Sequence, residues 1–97
     1  MAYDPGAIDA SLAAALGDDS ALIAELRAAF VDSAGRACTA LREAEDAVAW
    51  RAAALRLKGL AASFGAVRLM AIAGEAAEAA PHDPRITDRI ERAIARL

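Results

Sequence analysis

Alanine dominates the apolar residues of this chain, and that bias does more than any other feature to limit what it can fold into. Alanine is the best helix former. The hydrophobic fraction is 58% while aromatic residues supply only 4%, so the core must be built by helices packed closely through small side chains. An all-α class is predicted. Ninety-seven residues make one domain, spanning 1–97, able to hide roughly 60–70% of its unfolded surface around a single core.

Caps and periodicity divide the chain into five helices. Asp4-Pro5 offers an N-cap followed by proline at the first helical position, and Ile8, Leu12 and Leu16 recur at four-residue spacing until Gly17. Asp18-Asp19-Ser20 supplies the next cap, with Glu25 early enough to suit the helix dipole. The long helix that follows carries a stripe of Leu22, Leu26, Phe30, Ser33, Ala37, Leu41 and Ala44, interrupted by Gly35, and turns at Glu45-Asp46. Asp46 caps a third helix that Gly65 closes in a left-handed conformation. The fourth is expected to turn Val67, Met70 or Ala71, Gly74 and Ala77 to the core, with Leu69, Ala73 and Ala76 flanking, and to end before Pro81. Asp83-Pro84 opens the last, with Ile86, Ile90, Ala93 or Ile94, and Leu97 at helical spacing. Short connections between such helices predict an up-and-down antiparallel four-helix bundle, with the short N-terminal helix across one end.

The third helix is the informative one. At about 100° per residue, Trp50, Ala53, Leu57, Leu60, Ala61 and Phe64 fall on one arc. Val48, Arg51, Ala52, Leu55, Lys58, Gly59 and Ala62 fall on the opposite one. The first arc is predicted to face the core and the second to face solvent.

The outward arc resembles the active face of histidine-containing phosphotransfer (HPt) domains, whose motif is His-x-Leu-Lys-Gly followed by small residues and a Gly-Ala pair. Here the chain reads Leu55-Arg56-Leu57-Lys58-Gly59, then Gly65-Ala66. Lys58, Gly59 and Leu57 match the family's lysine, glycine and buried leucine, whereas Leu55 stands where the family has its phosphoacceptor histidine. The order of features is similar along nearly the whole chain: a short leucine-bearing helix, Gly-Asp-Asp, a long helix with a phenylalanine, an aspartate before the motif helix, and the Gly-Ala turn. By this resemblance Lys58 corresponds to the lysine that neutralises phosphoryl oxygens, and Gly59 and Ala62 to the small residues that let a receiver domain approach.

Phosphotransfer needs an imidazole nitrogen to hold the phosphoryl group, and Leu55 has no lone pair. The resemblance therefore implies a protein that is not an enzyme, in bacterial two-component or phosphorelay signalling, docking on a response-regulator receiver domain or a histidine kinase. The docking face would comprise Val48, Arg51, Ala52, Leu55, Arg56, Lys58, Gly59 and Ala62, an apolar patch rimmed by cations. The ordinary reading of Leu55 is a scattered surface leucine, and that of Lys58 a solvated lysine. A self-associating or assembly-forming bundle with a fossil HPt motif is the alternative function. A monomer is expected rather than a homodimer.

Other classes are argued against by composition. With net charge −3 and arginines interspersed among acids, there is no basic stripe for nucleic acid. Apolar runs are broken well short of the ~20 residues that span a bilayer, and the N-terminus lacks a basic segment followed by an apolar one. A cytoplasmic protein that engages no membrane is expected. One cysteine, Cys38, and one histidine, His82, supply no metal cluster, and no cofactor is implied. Cys38 reads as a small buried hydrophobe, Trp50 and Met70 as core residues, and His82 as a solvated loop histidine.

Overall fold

The structure, a computed structural model, describes residues 6–17 and 19–97. They are helical throughout with short connections and no strand: α1 (Gly6–Leu16), α2 (Ser20–Glu43), α3 (Ala47–Phe64), α4 (Val67–Glu78) and α5 (Pro84–Ala95). The cap at Asp4-Pro5, the side chain of Ile8 and the contribution of Asp18 lie outside the described residues.

Several of the described boundaries have a local cause. Asp19 accepts from the Leu22 N–H at 3.0 Å and Asp46 from the Ala49 N–H at 2.7 Å, each satisfying a donor that the first helical turn leaves over. Asp83 accepts from the Arg85 N–H, and Pro84 starts α5, where a missing N–H costs nothing. At the other end of α3, Gly65 adopts φ 73°, and the N–H groups of Gly65 and Ala66 return to the carbonyls of Ala62 and Ala61. This closure takes so little chain that α4 begins at Val67, folding α3 and α4 into a tight hairpin. Beyond α4, Ala79 is extended, and Pro81 biases the residue before it the same way.

α3 is the central element. It packs most extensively on α4 and then on α2; α5 lies against α4 and α2, and α1 rests on α2 with a lighter contact to α3. Trp50, Phe30, Leu41, Leu57, Leu69 and Ile90 are the large side chains fully removed from solvent. Phe30 and Phe64 stack across the α2–α3 interface with ring centroids 4.7 Å apart. Between these anchors the helices meet through Ala34, Ala37, Ala54, Ala61, Ala73 and Ala76, all wholly buried. Among the described residues no ionisable side chain belongs to the buried core except the thiol of Cys38, whose pKa burial pushes up against the opposing pull of Arg42.

Exposed ion pairs cross the outer seams: Arg42 with Glu91 at 3.1 Å, Arg51 with Glu78 at 3.0 Å, and Arg89 with Glu75 at 3.0 Å. Pairs of this kind contribute little to stability. The two hydrogen bonds that Arg89 donates hold the Glu75 carboxyl below the usual carboxylate range.

Several sequence-based expectations change. Leu22 is exposed rather than core, since it stands in the first turn of α2, and Ala34 is buried beside the half-buried Ser33. Glu25 is in the second turn of α2, beyond the reach of the terminal dipole. In α4 the buried stripe is Leu69, Ile72, Ala73, Ala76 and Ala77; Val67 and Ala71 are exposed and Met70 and Gly74 half-buried. The helix is rotated relative to the expectation because its bulkiest branched residues, Leu69 and Ile72, take the interface with α3 and α5.

Candidate functional site

The outer face of α3 stands where the sequence puts it. Every residue of the predicted docking set is exposed: Val48, Arg51, Ala52, Leu55, Arg56, Lys58, Gly59 and Ala62. Val48 is 79% exposed and Leu55 42%, enough for both to present apolar surface. Opposite them Trp50, Ala53, Leu57 and Ala61 are buried and Leu60 and Phe64 half-buried, so the two arcs separate as predicted; Ala54, on neither arc, is buried too.

The side chains on this face differ in how committed they are. Arg51 turns toward α4, donating to the Ala77 carbonyl at 3.3 Å and to Glu78 at 3.0 Å. Lys58 also leans that way: its aliphatic stem and ammonium lie 3.8–3.9 Å from where a Cβ on Gly74 would stand. That spacing is ordinary van der Waals contact, so an alanine at 74 would fit as well, and Lys58 has no hydrogen-bonded or ionic partner among the described residues. On the opposite edge Arg56 borders an open groove of about 610 Å³ between α2 and α3, together with Glu43, Ala49 and Ala52.

Gly59 is the most telling residue of the face. A Cβ built on it meets nothing within 4 Å, so no packing inside the molecule requires a glycine there. A glycine in a helix interior costs about 1 kcal/mol relative to alanine. Ser63 directs its hydroxyl back to the Gly59 carbonyl at 3.0 Å. The face thus offers leucine and valine side chains, a bare stretch of backbone and an ammonium group, but no imidazole or thiol.

His82 lies elsewhere, exposed in the α4–α5 loop as the sequence predicts, and it makes contacts there that the sequence does not show. Its Nε2–H faces the Ala44 carbonyl at 2.6 Å, to which it donates, and its ring is tilted against Trp50 at 5.3 Å. The contact ties the α4–α5 loop to the end of α2 and holds His82 at φ 62°, the left-handed region. Sequence composition carries no sign of this, because the partners are brought in by the fold. We expect His82→Ala to cost about 1–2 kcal/mol, having lost the hydrogen bond while keeping the backbone strain. His82→Gly should cost less despite removing the same contact; urea denaturation of the two variants beside the wild type checks that order.

Sequence reasoning also missed Val67, which is 63% exposed at the start of α4 and had been placed in the core. No group of three or more potential metal ligands occurs among the described residues. No helix of the described residues is long and apolar enough to cross a membrane. Comparison of the chain with protein-family models, with curated proteins and with solved structures finds no match.

Proposed function

We propose that this chain is a non-phosphorylatable HPt-like protein of bacterial two-component or phosphorelay signalling, docking on a receiver domain or a histidine kinase through the α3 face around Leu55, Lys58 and Gly59. The observation that carries the reading is Gly59: a mid-helix glycine with nothing above it, one turn from Leu55 and next to an unpaired lysine. No packing within the molecule requires a glycine there, as none does at Gly35 of α2, and on the exposed face of α3 a partner that approaches the backbone closely gives a reason for it. Binding alone then suffices to block a kinase or to cover a receiver aspartate.

The up-and-down antiparallel order of an HPt bundle is supported by which residues meet. Phe30 in the first half of α2 meets Phe64 at the end of α3, Trp50 near the start of α3 meets Ala76 near the end of α4, and along the α2–α5 seam Arg27 meets Leu97 while Arg42 meets Glu91, so these pairs run in opposite senses. The self-associating alternative draws on the exposure of Val48, Leu55 and Val67.

The test is binding of the purified protein to a panel of receiver domains and kinase domains by calorimetry. Leu55→Asp and Lys58→Glu should each weaken the complex tenfold or more, as central contacts do. Gly59→Ala should raise thermal stability by about 0.5–1 kcal/mol and yet weaken binding. Unchanged binding in Gly59→Ala would remove the argument for close approach. Light scattering across a concentration series separates the alternative, which requires an oligomer that Leu55→Asp dissociates.

A further inference from the structure

On the side of the molecule formed by α4 and α5, four arginines converge. Arg89 and Arg92 on α5 and Arg96 at its C-cap follow one another at i, i+3 and i+7, the spacing that keeps side chains on one face, and Arg68 joins them from α4. With Ile72 and Ala93 they line a cleft of about 110 Å³. None of the lining residues is acidic, in a chain where 14 acidic residues outnumber 11 basic ones.

Two neighbouring carboxylates brace this cleft and do not line it. Glu75 receives a hydrogen bond from each terminal nitrogen of Arg89, both at 3.0 Å, and Asp88 pairs with Arg92 at 2.7 Å from the preceding turn. Each guanidinium has five N–H donors in a planar fork, so both arginines keep donors to spare. Like charges around one small opening repel one another. An anion seated between them removes that repulsion and gains charge-assisted hydrogen bonds.

Size narrows the ligand. At about 110 Å³ the cleft is small and suits one tetrahedral oxyanion. Nucleotide-sized ligands occupy pockets of roughly 300 Å³ or more. We infer that the cleft between α4 and α5 binds a single phosphate or phosphoryl group through Arg89, Arg92 and Arg96, with Arg68 adding its charge from α4. Nothing in this depends on the docking face of α3.

The experiment is a titration of the full chain with sodium phosphate at constant ionic strength, sodium chloride replacing it in the control, followed by calorimetric melting and by arginine side-chain NMR. Saturable binding is expected, with the melting temperature rising on the order of 5–10 °C at a tenfold excess over Kd. The Arg92→Gln/Arg96→Gln variant should lose at least tenfold in affinity with its helicity retained, while Arg36→Gln on α2 stays as the wild type; Arg96→Gln alone serves if the double variant does not fold. A parallel titration with O-phosphoserine amide, against serine amide, identifies the source. Tighter binding of the ester points to a phosphorylated side chain and tighter binding of inorganic phosphate to the free anion, both in support. An equal response to chloride, or full affinity in the arginine variants, overturns the inference.

Discussion

Leu57→Asp is expected to unfold the protein at neutral pH, while Leu55→Asp, two residues away, leaves its melting almost unchanged. Leu57 is wholly buried between α3 and its neighbours, and Leu55 is open to solvent. Truncating a buried leucine costs about 2–5 kcal/mol for the lost contacts and the cavity. A carboxylate adds the penalty of a charge without a partner, in a fold whose total stability is of order 5–15 kcal/mol. The defect should ease in acid. Burial raises the pKa of the introduced carboxyl in the folded state above its unfolded value of about 3.9, so folding is penalised above that value and the penalty fades as pH falls toward it. Circular dichroism of both variants at pH 7 and pH 4 makes the comparison, with Leu57→Ala marking the cavity term. Equal damage from the two aspartates would show that the faces of α3 have been misassigned.

Trp50→Ala should be the most damaging truncation in the chain, costing about 3–5 kcal/mol. Trp50 is 1% exposed, and its indole N–H donates to the Ala76 carbonyl at 2.7 Å. Trp50→Phe separates the two contributions: it keeps most of the apolar volume and loses the hydrogen bond, for which about 1–2 kcal/mol is expected. The Ala76 carbonyl retains the N–H of Ala79 in that variant, which limits the loss. Guanidinium denaturation gives both values, and the single tryptophan of the wild type reports its own release into water as a red shift of fluorescence. A cost for Trp50→Phe as large as for Trp50→Ala would mean that the hydrogen bond, not the packed ring, secures this end of the core.

The helices and their ends were legible because the residues that make them act locally. Asp19, Asp46 and Asp83 each meet an N–H two or three residues on, and Gly65 alone fits the backbone it adopts, so nothing distant is needed to place them. The two faces of α3 were legible for a different reason: tryptophan, leucine and phenylalanine on one side contrast sharply with arginine, lysine and glycine on the other. α4 offers no such contrast. Alanine is as acceptable inside as outside, so its phase rested on a few larger residues, and reading it from Val67 rather than from Leu69 and Ile72 turned the helix the wrong way. In the candidate site, exposure was legible but commitment was not. That Arg51 reaches the end of α4, and that Lys58 lies over Gly74, follow from where α4 sits, which no spacing within α3 encodes. The arginine cleft divides in the same manner, with three members spaced regularly along α5 and its C-cap and the fourth supplied by another helix.

The end of α4 bears on how the molecule opens. The carbonyls of Ala76 and Ala77, in a last turn that no glycine closes, are met by Trp50 and Arg51 of the neighbouring helix. If α3 detaches, α4 loses at once its largest apolar contact and the side-chain donors that reach its final turn, while only Gly65 and Ala66 stand between the two helices. Neither can fray far without the other. The hairpin should therefore behave as one cooperative unit in native-state hydrogen exchange, with the amides of α3 and α4 exchanging at a common free energy, while α1, whose contacts are lighter, opens and closes on its own.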